Sequence, residues 1–343
     1  MKLKERIAVL AQLGQGLSQP DPERTALVKA SYRYNQWFTE ENYNAAIQAI
    51  ADRMLQQSLL EKWVAPYPIS DTMTPQTVGM VLAGNIPLVG FHDVLSTFIC
   101  GHIAQIKLSD KDKLVLPYLV DQLAKYDERI KPYFKFVDRL ADFDRVIATG
   151  SNNTARYFDL YFGKYPNIIR KNRNAVAVLR GDESKEALHA LGRDIFTYFG
   201  LGCRNVSKLY VPKNYEFEPL LEQLHEYRKI IELNKYKNNF DYNFTLLILN
   251  SKKYFSNGCI LLTESELIQS RIASLHFEYY EDENDLQQKL KPHRDEIQCV
   301  VSDQPVDHWK HIPLGGAQTP GLDDYADGVD TLAFLTEAKT SIG

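Results

Sequence analysis

The chain has 343 residues, 44% hydrophobic and 24% charged, and 40 Lys and Arg against 44 Asp and Glu leave a formal net charge of −4. This excludes a collagenous, disordered or low-complexity protein, and the length suggests about two domains with ample core. The slightly acidic balance gives no whole-protein electrostatic reason to bind nucleic acid.

Residues 1–65 read as helical. The basic start MKLKERIAVLAQLG has too short an apolar run for a signal peptide and reads as an amphipathic helix. Thr39, Glu40 and Glu41 open a second run with apolar residues at helical spacing, and Pro66 and Pro68 end the region. The texture then changes. TVGMVLAG (77–84) reads as a strand, HDVLSTFICGH as a helix, IAQIKLS (103–109) as a strand and DKLVLPYLVDQLAKYDERI as a helix. DRVIATGS (144–151) is a strand, NNTARYFDLYFG a helix and NAVAVLRG (174–181) a strand. Alternating strands and helices with short loops, and strands without polar alternation, are the pattern of a doubly wound, mostly parallel α/β sheet. In such sheets ligands lie beyond the carboxyl ends of the strands, where Gly84-Asn85, Lys107-Leu108-Ser109 and Gly150-Ser151 fall.

A helix over about 184–199 leads through Tyr-Phe-Gly-Leu-Gly-Cys-Arg-Asn to the strand KLYVP (208–212). A helix is expected at 216–233, strands near 243–249 and 259–263 around Asn257-Gly258, a strand at LHFEYYE, a helix from Asn284 and a strand at QCVVSD (298–303). This second block is expected to form its own sheet. The tail from Ile312 reads as loop followed by strand. The apolar stretch 78–106 is broken by Asn85, Pro87, His92, Asp93 and His102, so no membrane span is expected. With cysteines only at 100, 203, 259 and 299, and none in a Cys-x-x-Cys pair, reduced thiols and a cytoplasmic location are expected.

Several motifs are missing. No strand is followed by Gly-x-Gly-x-x-Gly, and there is no Walker A loop, His-Glu-x-x-His or Gly-x-Ser-x-Gly. His308 and His311 lack a third ligand nearby and read as surface histidines, so no metal site is expected. KYKNNFDYNF (235–244) mixes lysines and aromatics, but one local run in an acidic chain does not make a nucleic-acid groove. Cys203 stands out. Gly200 and Gly202 let the backbone bend around a ligand, and Arg204 can favour a thiolate. Taken alone, a lone cysteine more often serves as a small core residue, and Cys100 in its apolar helix has that character.

The order of motifs says more. Ala83-Gly84-Asn85-Ile86-Pro87, Ile106-Lys107-Leu108-Ser109, Ala148-Thr149-Gly150-Ser151, Phe199-Gly200-Leu201-Gly202-Cys203 and Ile312-Pro313-Leu314-Gly315-Gly316 occur in sequence, with Tyr325-Ala326-Asp327-Gly328-Val329-Asp330 after them. Over about 75 to 335 the chain resembles the aldehyde dehydrogenase superfamily, and within it the LuxC-like fatty acyl-CoA reductases. The resemblance implies two doubly wound α/β domains with a helical N-terminal region. The helical region is placed at 1–70, the cofactor domain at 71–185, the catalytic domain at 186–312 and a C-terminal return segment at 313–343. It implies NADPH or NADH as cofactor, and acyl-CoA or an acyl-carrier thioester as substrate. Cys203 is then the nucleophile and Asn85 an oxyanion donor with the Cys203 N–H. Lys107 would meet the adenosine ribose, Ser109 belongs to the same cofactor-binding segment, and Gly150 and Ser151 would line the pyrophosphate and nicotinamide path. A homo-oligomer is compatible with it, although the chain is shorter than typical members.

Two departures from the superfamily pattern matter. Where hydrolytic members carry a Glu, this chain has Ile169, and no Asp or Glu lies between Leu160 and Leu179. Ser270-Arg271-Ile272 stands where a ribose-gripping Glu is expected. The alternatives are an aldehyde dehydrogenase running toward the acid, which the missing base opposes, and a non-reducing acyl-transfer protein of the same fold.

Overall fold

Helices build the N-terminal region, and side-chain caps start two of them. A computed structural model describes residues 1–337, beginning with α1 (Leu3–Leu17), α2 (Pro22–Ser31), α3 (Glu40–Arg53) and α4 (Gln57–Val64). Asp21 and Thr39 accept from the Arg24 and Asn42 N–H at 2.8 and 3.2 Å, satisfying first-turn donors of α2 and α3. Alternation follows in β1 (Thr77–Val81), α5 (Phe91–Ile99), β2 (Ile103–Lys107), α6 (Val115–Tyr126), β3 (Phe134–Phe136), β4 (Arg145–Thr149), α7 (Asn152–Phe162), β5 (Asn167–Arg170) and β6 (Asn174–Val178). Next come α8 (Lys185–Phe196), β7 (Val206–Pro212), α9 (Glu218–His225), α10 (Asn234–Leu249), β8 (Phe255–Ser256), β9 (Leu261–Glu264) and β10 (Ser274–Tyr280). The last are α11 (Glu283–Leu290), β11 (Ile297–Val301) and α12 (Thr331–Thr336).

By contacts the chain divides into two units, residues 1–171 with the stretch from 320 onward, and residues 172–319. The first holds a five-stranded sheet in the order β3-β2-β1-β4-β5, all parallel. Val78 pairs with Ala104 on one side and Arg145 on the other. Val78, Met80, Ala104, Ile106, Val146, Ile147 and Ala148 are buried, which is why these strands carry no polar alternation. The chain winds outward from β1 to β2 and β3, then returns to β4 and β5. The strand order therefore reverses between β1 and β4, and the loops after these two strands flank the crevice where such sheets bind ligands.

The second unit holds a six-stranded sheet, β11-β6-β7-β10-β9-β8, parallel except for the antiparallel β8–β9 pair. The expected boundary at 185/186 and the contact division at 171/172 differ by β6, whose partners are β7 and β11 of the second sheet. The stretch from 320 returns to the first unit, where Arg170 donates to the Ala326 carbonyl at 2.6 Å.

The structure corrects two local expectations. Residues 243–249 are not a strand but the end of α10, and the turn at Asn257-Gly258 joins β8 to β9 instead. The run Phe244-Thr245-Leu246-Leu247-Ile248-Leu249 is apolar enough to suggest a strand, but it continues a helix started at Asn234, and Ile248 and Leu249 are exposed. The tail is likewise helical at α12, because Asp330 accepts from the Ala333 N–H at 2.8 Å and caps it. Two short strands, β3 and β5, lie in stretches the sequence reading left between elements.

Candidate functional site

In the first unit, the expected residues cluster at the carboxyl ends of β1, β2 and β4. Asn85 is exposed in the bend after β1. Lys107 is exposed at the end of β2, and its carbonyl accepts from the Leu82 N–H at 3.1 Å. A Cβ on Gly84 would lie 2.5 Å from Ser109 Oγ, so only glycine lets the loops after β1 and β2 pack together here. Asn85, Lys107 and Ser109 thus share one edge. Gly150 donates to the Arg170 carbonyl at 3.3 Å, and a Cβ there would meet Phe158 Cε2 at 2.9 Å. Ser151 caps α7, accepting from the Thr154 N–H at 3.3 Å.

Three residues the sequence reading missed hold this edge in place. Asn35 Nδ2 donates to the Gly84 carbonyl at 3.1 Å. Asp112 is buried; its Oδ2 accepts from the Leu88 N–H at 2.8 Å and its Oδ1 from the Tyr43 hydroxyl at 2.6 Å. Leu88 has φ 53, a strained value for leucine, which the Asp112 contact secures. Burial pushes the Asp112 carboxyl above its ordinary range, against the pull of Tyr43 and the Leu88 N–H. In the sequence Asp112 looks like one more charge in a solvated Ser-Asp-Lys-Asp-Lys turn.

In the second unit, Cys203 is half-buried between α8 and β7. The approach to it is strained: Tyr198, Phe199 and Gly200 have φ of 55, 58 and 84. Asn205 is buried, and its Nδ2 donates to the Ile195 carbonyl at 2.5 Å, tying the far end of the loop to α8. Asp194 is also buried, on the face of α8 that carries Leu191 and Ile195. It accepts from the Gly315 and Ala317 N–H groups at 2.6 and 2.9 Å. Helical spacing places Asp194 on the apolar face of α8, a polar residue where the pattern asks for a hydrophobe, and that signal was available in the sequence.

Ile169 lies in β5 opposite Ala148. Ser270 Oγ donates to the Ser274 carbonyl at 2.7 Å, and Arg271 to Asn243 Oδ1 at 3.4 Å. Among the described residues no group of His, Cys, Asp or Glu is arranged to hold a metal, and no helix is long and apolar enough to cross a membrane.

Comparison with known proteins gives the arrangement its context. No curated protein sequence matches the chain. Among solved structures it is similar to aldehyde dehydrogenase 21 from Physcomitrella patens in complex with succinate, with TM-score 0.71 at 15% identity over 98% of this chain and 84% of that one. It is similar to an NAD-dependent aldehyde dehydrogenase from Sinorhizobium meliloti, with TM-score 0.67 at 12% identity over 93% and 72%. An oxidoreductase from Marinobacter aquaeolei gives TM-score 0.67 at 11% identity over 94% and 79%. These likenesses show the aldehyde dehydrogenase fold. The sequence profile of the acyl-CoA reductases (LuxC) matches residues 11–231, a span that includes the loops after β1, β2 and β4 and the Cys203 loop. The chain therefore belongs to the LuxC acyl-CoA reductase family, oxidoreductases here built on the aldehyde dehydrogenase fold.

Proposed function

We propose that the protein reduces a fatty acyl thioester to the aldehyde with NADPH or NADH, and that Cys203 carries the acyl group between the two half-reactions. One observation carries the choice of residue. Cys100, Cys259 and Cys299 are buried, whereas Cys203 is half-buried in a glycine-bearing loop. Burial pushes the Cys100 and Cys259 thiols up to about 12 and about 11, so neither supplies thiolate near neutral pH.

The first unit's residues fit a nicotinamide dinucleotide in shape and charge. The Gly84 and Gly150 backbones run where no side chain fits. Ser151 and the first turn of α7 present N–H groups suited to a pyrophosphate, and Lys107 adds a cation. When bound, the reduced cofactor supplies hydride to the acyl carbon. The chain's own groups do the rest. The Cys203 thiolate attacks the thioester carbonyl carbon, and the tetrahedral oxyanion collapses to expel the carrier thiolate, which takes up a proton. The Asn85 amide and the Cys203 N–H are the proposed oxyanion donors. Two-electron reduction of the acyl-Cys203 thioester gives a thiohemiacetal, which breaks its C–S bond to release aldehyde and regenerate the thiolate. Ile169 has no atom that can take a proton from water, so the acyl-enzyme is protected from general-base hydrolysis and waits for hydride.

The test has two arms. A radioactive acyl-CoA given without cofactor should label Cys203, located by peptide mapping, and NADPH or NADH should then discharge the label as aldehyde with oxidation of one cofactor per label. Label on another residue overturns the choice of nucleophile. Label on Cys203 that leaves only as thioester, never as aldehyde, overturns the reductase reading in favour of acyl transfer.

A further inference from the structure

We infer that Asp194 is a positioning residue for the Cys203 loop, clamping the 315–318 segment against the end of α8 from which that loop departs. The inference rests on the reading of Cys203 as nucleophile.

The loop needs a clamp. Three successive residues, Tyr198, Phe199 and Gly200, are in the left-handed region, and two of them are bulky aromatics that pay for that conformation only where surroundings hold them. Asp194 is the hub of the contacts that fix the two ends of this loop. Both of its carboxylate oxygens are engaged by backbone N–H groups, of Gly315 at 2.6 Å and Ala317 at 2.9 Å. The same segment then reaches the loop itself: Gln318 Nε2 donates to the Asp194 carbonyl at 3.3 Å and to the carbonyl of Arg204, the residue after Cys203, at 3.2 Å. Asn205 closes the far side through the Ile195 carbonyl. The approach is close enough to demand glycine. Gly315 has φ +85, and a Cβ there would lie 2.5 Å from Arg193 Nη2 and 2.9 Å from the Ala190 carbonyl.

The carboxylate form suits this work. Two N–H donors need two acceptor oxygens, and protonation turns one of them into a donor that faces an N–H. Burial pushes the Asp194 carboxyl up to about 6, with the two N–H groups and Arg193 pulling the other way. Arg193 from its own helix and Tyr227 from the segment after α9 are the charged and titratable groups that interact with it. Asp194 is therefore the carboxylate that both N–H groups call for at pH 7.5, and the neutral acid at pH 5.

The experiment compares wild type, Asp194→Asn and Gly315→Ala, using octanoyl-CoA without cofactor and following acylation of Cys203 by mass spectrometry between pH 5 and 8. Both variants should acylate on the order of tenfold to a hundredfold more slowly at pH 7.5, in the maximal rate and not in the octanoyl-CoA concentration for half-saturation. The wild-type rate should show an inflection near pH 6 that Asp194→Asn lacks. Circular dichroism and melting confirm that each variant is folded. Acylation of Cys203 at the wild-type rate in both folded variants, or an inflection that persists in Asp194→Asn, overturns the clamp while leaving the nucleophile reading intact. Acylation in the wild type at a residue other than Cys203 overturns the nucleophile reading, and the clamp with it.

Discussion

Cys203 and Asn85 bear the proposed chemistry through different physics, and their variants should fail differently. Cys203→Ala removes the nucleophile, so both acyl labelling and aldehyde formation should disappear; label that moves to Cys259 would contradict the assignment. Asn85 is exposed and lies in a bend, so its loss should leave the fold intact. If it donates to the oxyanion, Asn85→Ala slows acylation about a hundredfold, roughly 3 kcal/mol. Unchanged turnover with a lowered melting temperature would make it a turn residue only. Ile169→Glu places an acid–base group at the position that the family resemblance matches to the base of hydrolytic members. Free fatty acid released from acyl-CoA without cofactor should be low in wild type and higher in the variant, since general-base help is worth ~10²–10⁴-fold. Rapid hydrolysis by the wild type would contradict the protected acyl-enzyme.

At the scale of elements, the C-terminal return segment is held in the first unit by two buried arginines. Arg170, at the end of β5, pairs with Asp93 of α5 at 2.6 Å and donates to Thr331 Oγ1 at 3.0 Å. Arg145, at the start of β4, donates to the carbonyls of Phe334 and Glu337 and at 2.7 Å to Gln76 Oε1. Tyr325 joins the same attachment: its hydroxyl accepts from Trp63 Nε1 at 2.9 Å and meets the Tyr67 hydroxyl at 2.8 Å. Breaking a buried pair by removing one partner strands the other charge. Asp93→Ala should therefore lower stability by about 3–5 kcal/mol, read by chemical denaturation. A loss below about 1 kcal/mol would mean that the Ala326 and Thr331 contacts alone satisfy Arg170.

The stability of the whole molecule should change slope near pH 6. His102 and His276 are buried enough that desolvation lowers their pKa from 6.5. His102 Nδ1 accepts from the Gln76 N–H at 3.1 Å, so Nε2 carries the proton given to the Leu335 carbonyl at 2.8 Å. A second proton would face an N–H. A group with a lowered cationic pKa binds its proton first in the unfolded chain, so stability is lost as pH falls through 6.5. Asp194 acts in the opposite sense. With its pKa raised from 3.8 to about 6, its ionisation costs the folded state about 3 kcal/mol, a penalty relieved as pH falls from 6 toward 4. Asp112 works in the same direction. Melting temperature should fall from pH 7.5 to 6 and then flatten toward pH 5, whereas in Asp194→Asn the decline should continue. An unbroken decline in the wild type would contradict the raised Asp194 value.

The sequence by itself determined the architecture, because strand–helix alternation is written locally, whereas the candidate chemistry came from the order of motifs along the whole chain. Strand–helix alternation without polar alternation specifies a sheet covered on both faces, and caps such as Thr39 and Ser184 mark helix starts that the structure reproduces at α3 and α8. The glycines beside Asn85 and Ser151 mark places where the backbone comes close to a neighbour, and Gly200 ahead of Cys203 marks a positive φ. Local pattern failed where a segment's state depends on what covers it. The apolar end of α10 and the tail at α12 read as strands because apolar content alone does not tell a helix from a strand. Only the tertiary structure decided that β6 joins the second sheet, since its partners β7 and β11 are brought to it by long-range pairing. Most of the supporting residues were equally hidden. Asp112, Asn205 and Arg170 are ordinary polar letters in the sequence, and Asp194, although it interrupts the apolar face of α8, gives no sign there of what it binds. What they do follows from burial, which obliges each to find a partner, and those partners come from distant parts of the chain: Leu88, Gly315, Ile195 and Asp93.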